Sequence, residues 1–250
     1  MWTIMTLSFL SGLSTPLGAL IVLRFHTLSR PVLAFILAMA SGVMVTVVLT
    51  ELLPNSIKTG GIGWFTVGCL GGIILMVGLA ALWHHGDAGS RPVSTNSRLR
   101  QTGQSIALAI TVHDLPEGIA IGAGDAVHAH LGLIIALAIA LHNIPEGMSI
   151  AAPLAMSRMS RRKILVLTGL ISFVTPLGTL LPLLFGALSP TLSAFFLALA
   201  SGAMLYVVVN DTFPEAWQAH KEATVFGVLA GAAVMVGVAS FHAGWLPAVS

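Results

Sequence analysis

Two hexapeptides, HDLPEG at 113–118 and HNIPEG at 142–147, set a histidine, a proline and a glutamate at the same spacing inside long apolar stretches. His113 and Glu117 stand four residues apart, as do His142 and Glu146, so on a helix each pair shares one face. Imidazole nitrogen with carboxylate and amide oxygens is a donor set for a borderline divalent ion: Zn²⁺, Fe²⁺, Mn²⁺, Co²⁺ or Cd²⁺. The candidate ligands are His113, Asp114, Glu117, His142, Asn143 and Glu146. Their three carboxylates can offset most of the charge of one or two dications. Without thiolates, Cu⁺ is poorly served. A relay of protons alone is the rival chemistry, because Glu and His in membranes also pass protons. A plain structural pairing of each histidine with a glutamate is the other alternative. Two symmetric copies, each with its own helix-breaking proline, argue against it.

Pro116 and Pro145 add to the site. A proline inside a helix donates no backbone hydrogen bond and crowds the carbonyl four residues back. The carbonyls of Val112 and Leu141 are therefore expected to lose their helical partners and to turn toward water, a side chain or an ion. Gly118 and Gly147 allow close helix approach at the same level.

The elements that must hold these groups are membrane helices. Of 250 residues, 56% are apolar and 8% charged, where a soluble domain carries about 25% charged residues. The net charge of +2 and the scatter of basic residues through short segments exclude nucleic acid as a partner. The single cysteine, Cys69, forbids an internal disulfide. Spans of about 20 apolar residues are expected near 4–23, 32–53, 62–83, 104–124, 130–153, 164–186, 191–210 and 224–245. Residues 4–23 read as a retained span rather than a cleaved signal. Residues 84–103 read as a cytoplasmic loop, and no soluble domain fits between spans, so 1–250 is one membrane domain.

Basic residues mark cytoplasmic loops. Ten of the eleven fall in alternate loops: Arg24 and Arg30; Arg91, Arg98 and Arg100; Arg158, Arg161, Arg162 and Lys163; Lys221. Only Lys58 falls opposite. Both termini are expected outside the cytoplasm, in a plasma membrane of bacterial type.

The chain also repeats itself. LAMASGVMVTVVLTELLP (37–54) and LALASGAMLYVVVNDTFP (197–214) share nine of eighteen residues, and STPLGAL (14–20) matches VTPLGTL (174–180) at the same offset of 160. GCLGGIILMVGLA (68–80) matches GVLAGAAVMVGVA (227–239) at an offset of 159. Spans one to three thus recur as six to eight. An odd number of crossings separates the copies, so the repeat is inverted, as in secondary transporters with a site near the midplane. The expected fold is an all-α polytopic membrane protein: eight transmembrane helices in a 3+2+3 inverted-repeat arrangement.

With its doubled HxxPEG motif on spans four and five, the TPLG stretch of span six and the 3+2+3 pattern, the chain resembles the ZIP family of divalent metal transporters, in its bacterial GufA-like branch. The resemblance covers essentially the whole chain. It implies movement of Zn²⁺ and related ions toward the cytoplasm, and a site holding one or two ions. One ion would use His113, Glu117, His142 and Glu146. A second would use Asp114 and Asn143, with Glu117 and Glu146 bridging. Relatives are often homodimers, although no surface here marks a seam. Two positions depart from the family: Asp114 stands for the usual asparagine, and Thr175 for a glutamate before the span-six proline. Either Asp114 replaces the missing ligand or a single metal binds.

Glu51 and Asp211 are repeat mates near opposite faces and read either as relays into and out of the path, with Asn210 and Glu215 on the inner side, or as ordinary solvated helix ends. His84, His85 and Asp87 read as plain loop, although relatives often carry a histidine-rich stretch there. His128, His130 and Asp125 read as facing water outside, and His26, His220 and His242 as interfacial. A selective channel is the nearest competing mechanism. An intramembrane metalloenzyme is the more distant one, disfavoured because HExxH is missing and the ligands are symmetric.

Overall fold

The computed structural model describes residues 2–25, 29–86, 95–185 and 189–243, and every regular element among them is helical. The first apolar run is two helices, α1 (Trp2–Gly12) and α2 (Ser14–Phe25), parted at Leu13. Its repeat is also two, α7 (Arg161–Ile171) and α8 (Val174–Phe185), parted at Ser172 and Phe173. Proline accounts for both breaks. Pro16 and Pro176 donate no hydrogen bond to the carbonyls of Gly12 and Ser172, four residues back, and their rings crowd them. The breaks meet each other: a Cβ on Gly12 would collide with the carbonyl oxygen of Ser172, its own repeat mate.

The second run is α3 (Arg30–Val47), a π-helical turn (Val48–Leu52) and α4 (Leu53–Gly86). Its repeat holds α9 (Pro190–Val207), a matching π turn (Val208–Thr212) and α10 (Phe213–Ala219), followed by α11 (Lys221–Ala243). The π turns carry Glu51 and Asp211. Within α4, Gly61 has φ 79° and ψ 167°, a conformation available to glycine and costly for other residues. Between the repeats lie α5 (Thr95–Val127) and α6 (Ala129–Met156), joined at His128. The expected loop 84–103 is shorter than read from sequence: α4 continues to Gly86 and α5 begins at Thr95. Helical hydrogen bonding needs no apolar side chains, so the helix runs past the apolar boundary that sequence alone detects.

Seven helical runs among the described residues are long and apolar enough to cross a membrane. One of them, Arg30–Gly78, has 49 residues and would measure about 74 Å if straight. It contains the break at Gly61.

Packing follows the repeat. α3 lies on α11 and α4 on α9; α2 lies on α6 and α8 on α5. Contacts of α3 with α6 and of α9 with α5 join the outer group to the inner one. In lipid, where apolar side chains gain nothing by leaving their solvent, close backbone contact through small residues holds helices together. Gly42 abuts the Val228 carbonyl, and its mate Gly202 abuts the carbonyl of Cys69, the mate of Val228. Hydroxyls add directional contacts, such as Ser41 with Thr212 at 2.8 Å and Ser8 with Thr179 at 2.7 Å. Ile62, Val67, Leu70 and Ile74 on α4, and Phe226 and Leu229 on α11, are exposed, as suits faces turned to lipid.

Candidate metal centre

The hairpin of α5 and α6 carries both hexapeptides, and Pro116 and Pro145 lie within continuous helix. The helix therefore tolerates each proline without unwinding. The neighbouring half-helices are pressed against this level. A Cβ on Gly147 would strike the carbonyl of Thr15, and one on Gly118 the carbonyl of Thr175. The reverse contacts also repeat, with Gly18 against the carbonyl of Ile144 and Gly178 against that of Leu115. Each TPLG start is thus seated on the PEG turn of the partner helix.

Glu117, His142 and Glu146 are buried, and each offers a ligand atom within 4.8 Å of the other two. His142 Nε2 lies 2.7 Å from Glu117 Oε1, linking the two helices directly. A tetrahedral zinc ion places its donors about 3.3 Å apart, so small side-chain movements suffice to close this group around an ion. Two carboxylates facing one imidazole in a buried site present an excess of negative charge when ionised. A divalent cation balances it better than a lone proton does.

Asp114 and Asn143, side by side with the motif histidines in sequence, are also fully buried. Asn143 Nδ2 donates to the carbonyl of Ser11 at 3.1 Å, near the end of α1. The amide is spent on the α1–α2 break, which leaves Oδ1 buried with no donor among the described residues. Asp114, the repeat mate of Asn143, bears no amide and can make no such bond when ionised. His113 lies within α5, but its side chain is outside the described residues.

The remaining candidates are spread apart. Glu51 is half-buried and Asp211 exposed in their π turns; Asn210 is exposed and donates to the Tyr206 carbonyl at 2.9 Å. None of these joins the buried cluster. Glu215 lines a cavity of about 160 Å³ with Leu33, Ile106, Ser149, Ala152, Pro153 and Met156. Ser149 Oγ donates to the Glu146 carbonyl at 2.8 Å, so the cavity begins one turn from the cluster. Its wall is otherwise apolar. The sequence listed Glu215 but gave no sign of this cavity, because its walls come from four different helices.

Among the other histidines, His220 closes α10, and its Nδ1 accepts the Ala223 backbone N–H at 3.2 Å. That is a structural role. His128 is exposed at the start of α6, and His130 and Asp125 are half-buried nearby. The side chains of His84, His85 and His242, and all of His26 and Asp87, are outside the described residues.

The architecture and the cluster have known counterparts. Residues 82–239 match the family model described as ZIP Zinc transporter. A protein of Enterobacter sp. strain 638 named zinc transporter ZupT is 32% identical, over 92% of this chain and 93% of its own length. The protein of the same name from Akkermansia muciniphila is 33% identical over the same shares, and that of Corynebacterium glutamicum 32% identical over 92% and 95%.

Proposed function

This chain belongs to the ZIP zinc transporter family, and from that premise we propose that it carries Zn²⁺, and with it Fe²⁺, Mn²⁺ or Cd²⁺, into the cytoplasm through a site on α5 and α6. As a member of that family it is a transporter of divalent metal and not an enzyme, and it is a multi-pass protein of the inner membrane. The observation that carries the reading of the site is the buried triangle of Glu117, His142 and Glu146, drawn from two facing helices.

The chain crosses eight times. The positive φ at Gly61 and the length of Arg30–Gly78 support two crossings within that run. With the basic residues cytoplasmic, both termini lie outside. The site then sits where the two halves of an inverted repeat meet, as a carrier working by alternating access requires. The outer group (α3, α4, α9, α11) and the inner group (α1, α2, α5 to α8) are the bodies that move against each other.

His113 completes the first ion position. Asp114 and the Oδ1 of Asn143 serve a second, with Glu117 and Glu146 between them. Asp114 stands in for the carboxylate that Thr175 lacks, so the charge of the site is kept on a different helix. Glu215 receives the ion in the cavity one turn below Glu146, and Asn210 and Asp211 lie beyond it; Glu51 attends the outer end.

Reconstitution in liposomes with uptake measured for Zn²⁺, Fe²⁺, Mn²⁺ and Cd²⁺ tests this reading, beside a Glu117→Ala/Glu146→Ala double variant. Flux is expected in the unmodified protein and its loss in the variant. Unchanged flux in the variant would remove the site from these residues.

A further inference from the structure

Six threonines are buried among the described residues: Thr15, Thr168, Thr175, Thr179, Thr212 and Thr224. Four have ordinary partners. Thr168 and Thr224 donate to the carbonyls of Ile164 and His220, four residues back, Thr179 to the carbonyl of Gly118, and Thr212 pairs with Ser41. The hydroxyls of Thr15 and Thr175 have none among the described residues, although both residues are 0% exposed. These two are repeat mates. Each begins a half-helix just after a break, so the carbonyl four residues back belongs to a different helix. For Thr15 that carbonyl is on Ser11, and it is already taken by the Asn143 amide.

A buried hydroxyl without a partner costs stability, and a single one carries little weight by itself. The same cost borne twice, at symmetric positions, points to a ligand. Both residues flank the metal centre: the Thr15 backbone abuts Gly147, next to Glu146, and the Thr175 backbone abuts Gly118, next to Glu117. On the reading of the site given above, we propose that the Thr15 and Thr175 hydroxyls are neutral oxygen ligands, direct or through one water, to ions held by Glu117, His142 and Glu146, and that they set which ions are accepted. Zinc is satisfied by four donors. Mn²⁺ prefers about six, mostly oxygen. The two hydroxyls therefore matter little to zinc and much to manganese.

The test is metal binding to detergent-purified protein by titration calorimetry, with liposome uptake alongside, for Zn²⁺ and Mn²⁺. The variants are Thr15→Val, Thr175→Val, the double Val variant, and the double Ser variant that keeps both hydroxyls. Valine matches threonine in shape. The expected result is a loss of Mn²⁺ affinity of about tenfold in the double Val variant, with Zn²⁺ changed by less than about twofold and the Ser variant like the unmodified protein. A merely structural role would lower both metals in parallel. An unaltered Zn²⁺ to Mn²⁺ ratio, or no Mn²⁺ binding by the unmodified protein, overturns the proposal. Transport that survives loss of Glu117 and Glu146 would instead overturn the site itself. If the double Val variant does not fold, the two single variants carry the same ratio test.

Discussion

Replacing Gly147 by alanine should separate two helices at the metal site. The added Cβ would overlap the Thr15 carbonyl oxygen and lie 2.7 Å from its carbon and 3.1 Å from the Thr15 Cα. Carbon atoms rest about 3.5–4.0 Å apart, so α6 and α2 must part by about 1 Å. Overpacking of this kind costs about 1–3 kcal/mol. For a chain of this size each kcal/mol moves the melting midpoint by about 2–4 °C, giving a predicted fall of roughly 2–12 °C in detergent. The same shift displaces His142 and Glu146, which lie on α6, and binding sites tolerate only about 0.5 Å; Zn²⁺ uptake should fall at least about tenfold. Gly71 is the control. A Cβ there meets nothing within 4 Å, and alanine in an open helical position gains up to about 1 kcal/mol over glycine. One chemical change thus has opposite signs at two glycines of one chain. A Gly147→Ala protein that melts and transports like the unmodified one would refute the reasoning, as would a Gly71→Ala protein damaged to the same extent.

Asp114→Asn should lower the number of Zn²⁺ ions bound per chain, read by calorimetry or by metal analysis of the purified protein; unchanged stoichiometry and transport would end the idea that Asp114 replaces a ligand at Thr175. Glu215→Ala should leave Zn²⁺ affinity at the buried cluster within about twofold while slowing uptake, since the cavity it lines is one turn away from the cluster; equal uptake rates would remove Glu215 from the path. Gly61→Ala forces a side chain into a left-handed φ and should destabilise by about 1–2 kcal/mol. No change in melting there would mean that the break within Arg30–Gly78 is not fixed by this residue.

The doubled hexapeptide was legible because its chemistry is local: four-residue spacing puts His142 and Glu146 on one face whatever surrounds them. The partner of His142 was less so. Its 2.7 Å contact with Glu117 spans 25 residues, and only the antiparallel hairpin brings the two together. Apolar runs revealed the membrane helices but not the breaks at Leu13 and Ser172, because the small and polar stretch Ser11–Thr15 is too short to interrupt an apolar run of about 20 residues. Pro16 and Pro176 were the available signals. The π turns at Glu51 and Asp211 left no compositional trace; a π turn inserts one residue without altering which side chains are apolar. The glycine contacts between α3 and α11, and between α4 and α9, were invisible for another reason. The repeat showed which segments correspond, whereas which segments touch depends on how the two copies are turned toward each other.

Most of the tight contacts that glycines make between helices come in pairs related by the repeat. The meeting of Gly12 with Ser172 does not: each is the other's counterpart, so exchanging the copies returns the same contact. It therefore lies on the molecule's internal axis, within the inner group of helices. If opening inward and opening outward are mirror uses of the two copies, this contact stays closed in both. Probes placed beside Gly12 and Ser172 should report one separation in both states, while probes across α3 and α6 report two. A separation at this contact that changes by several ångströms would show that the inner group does not move as one body.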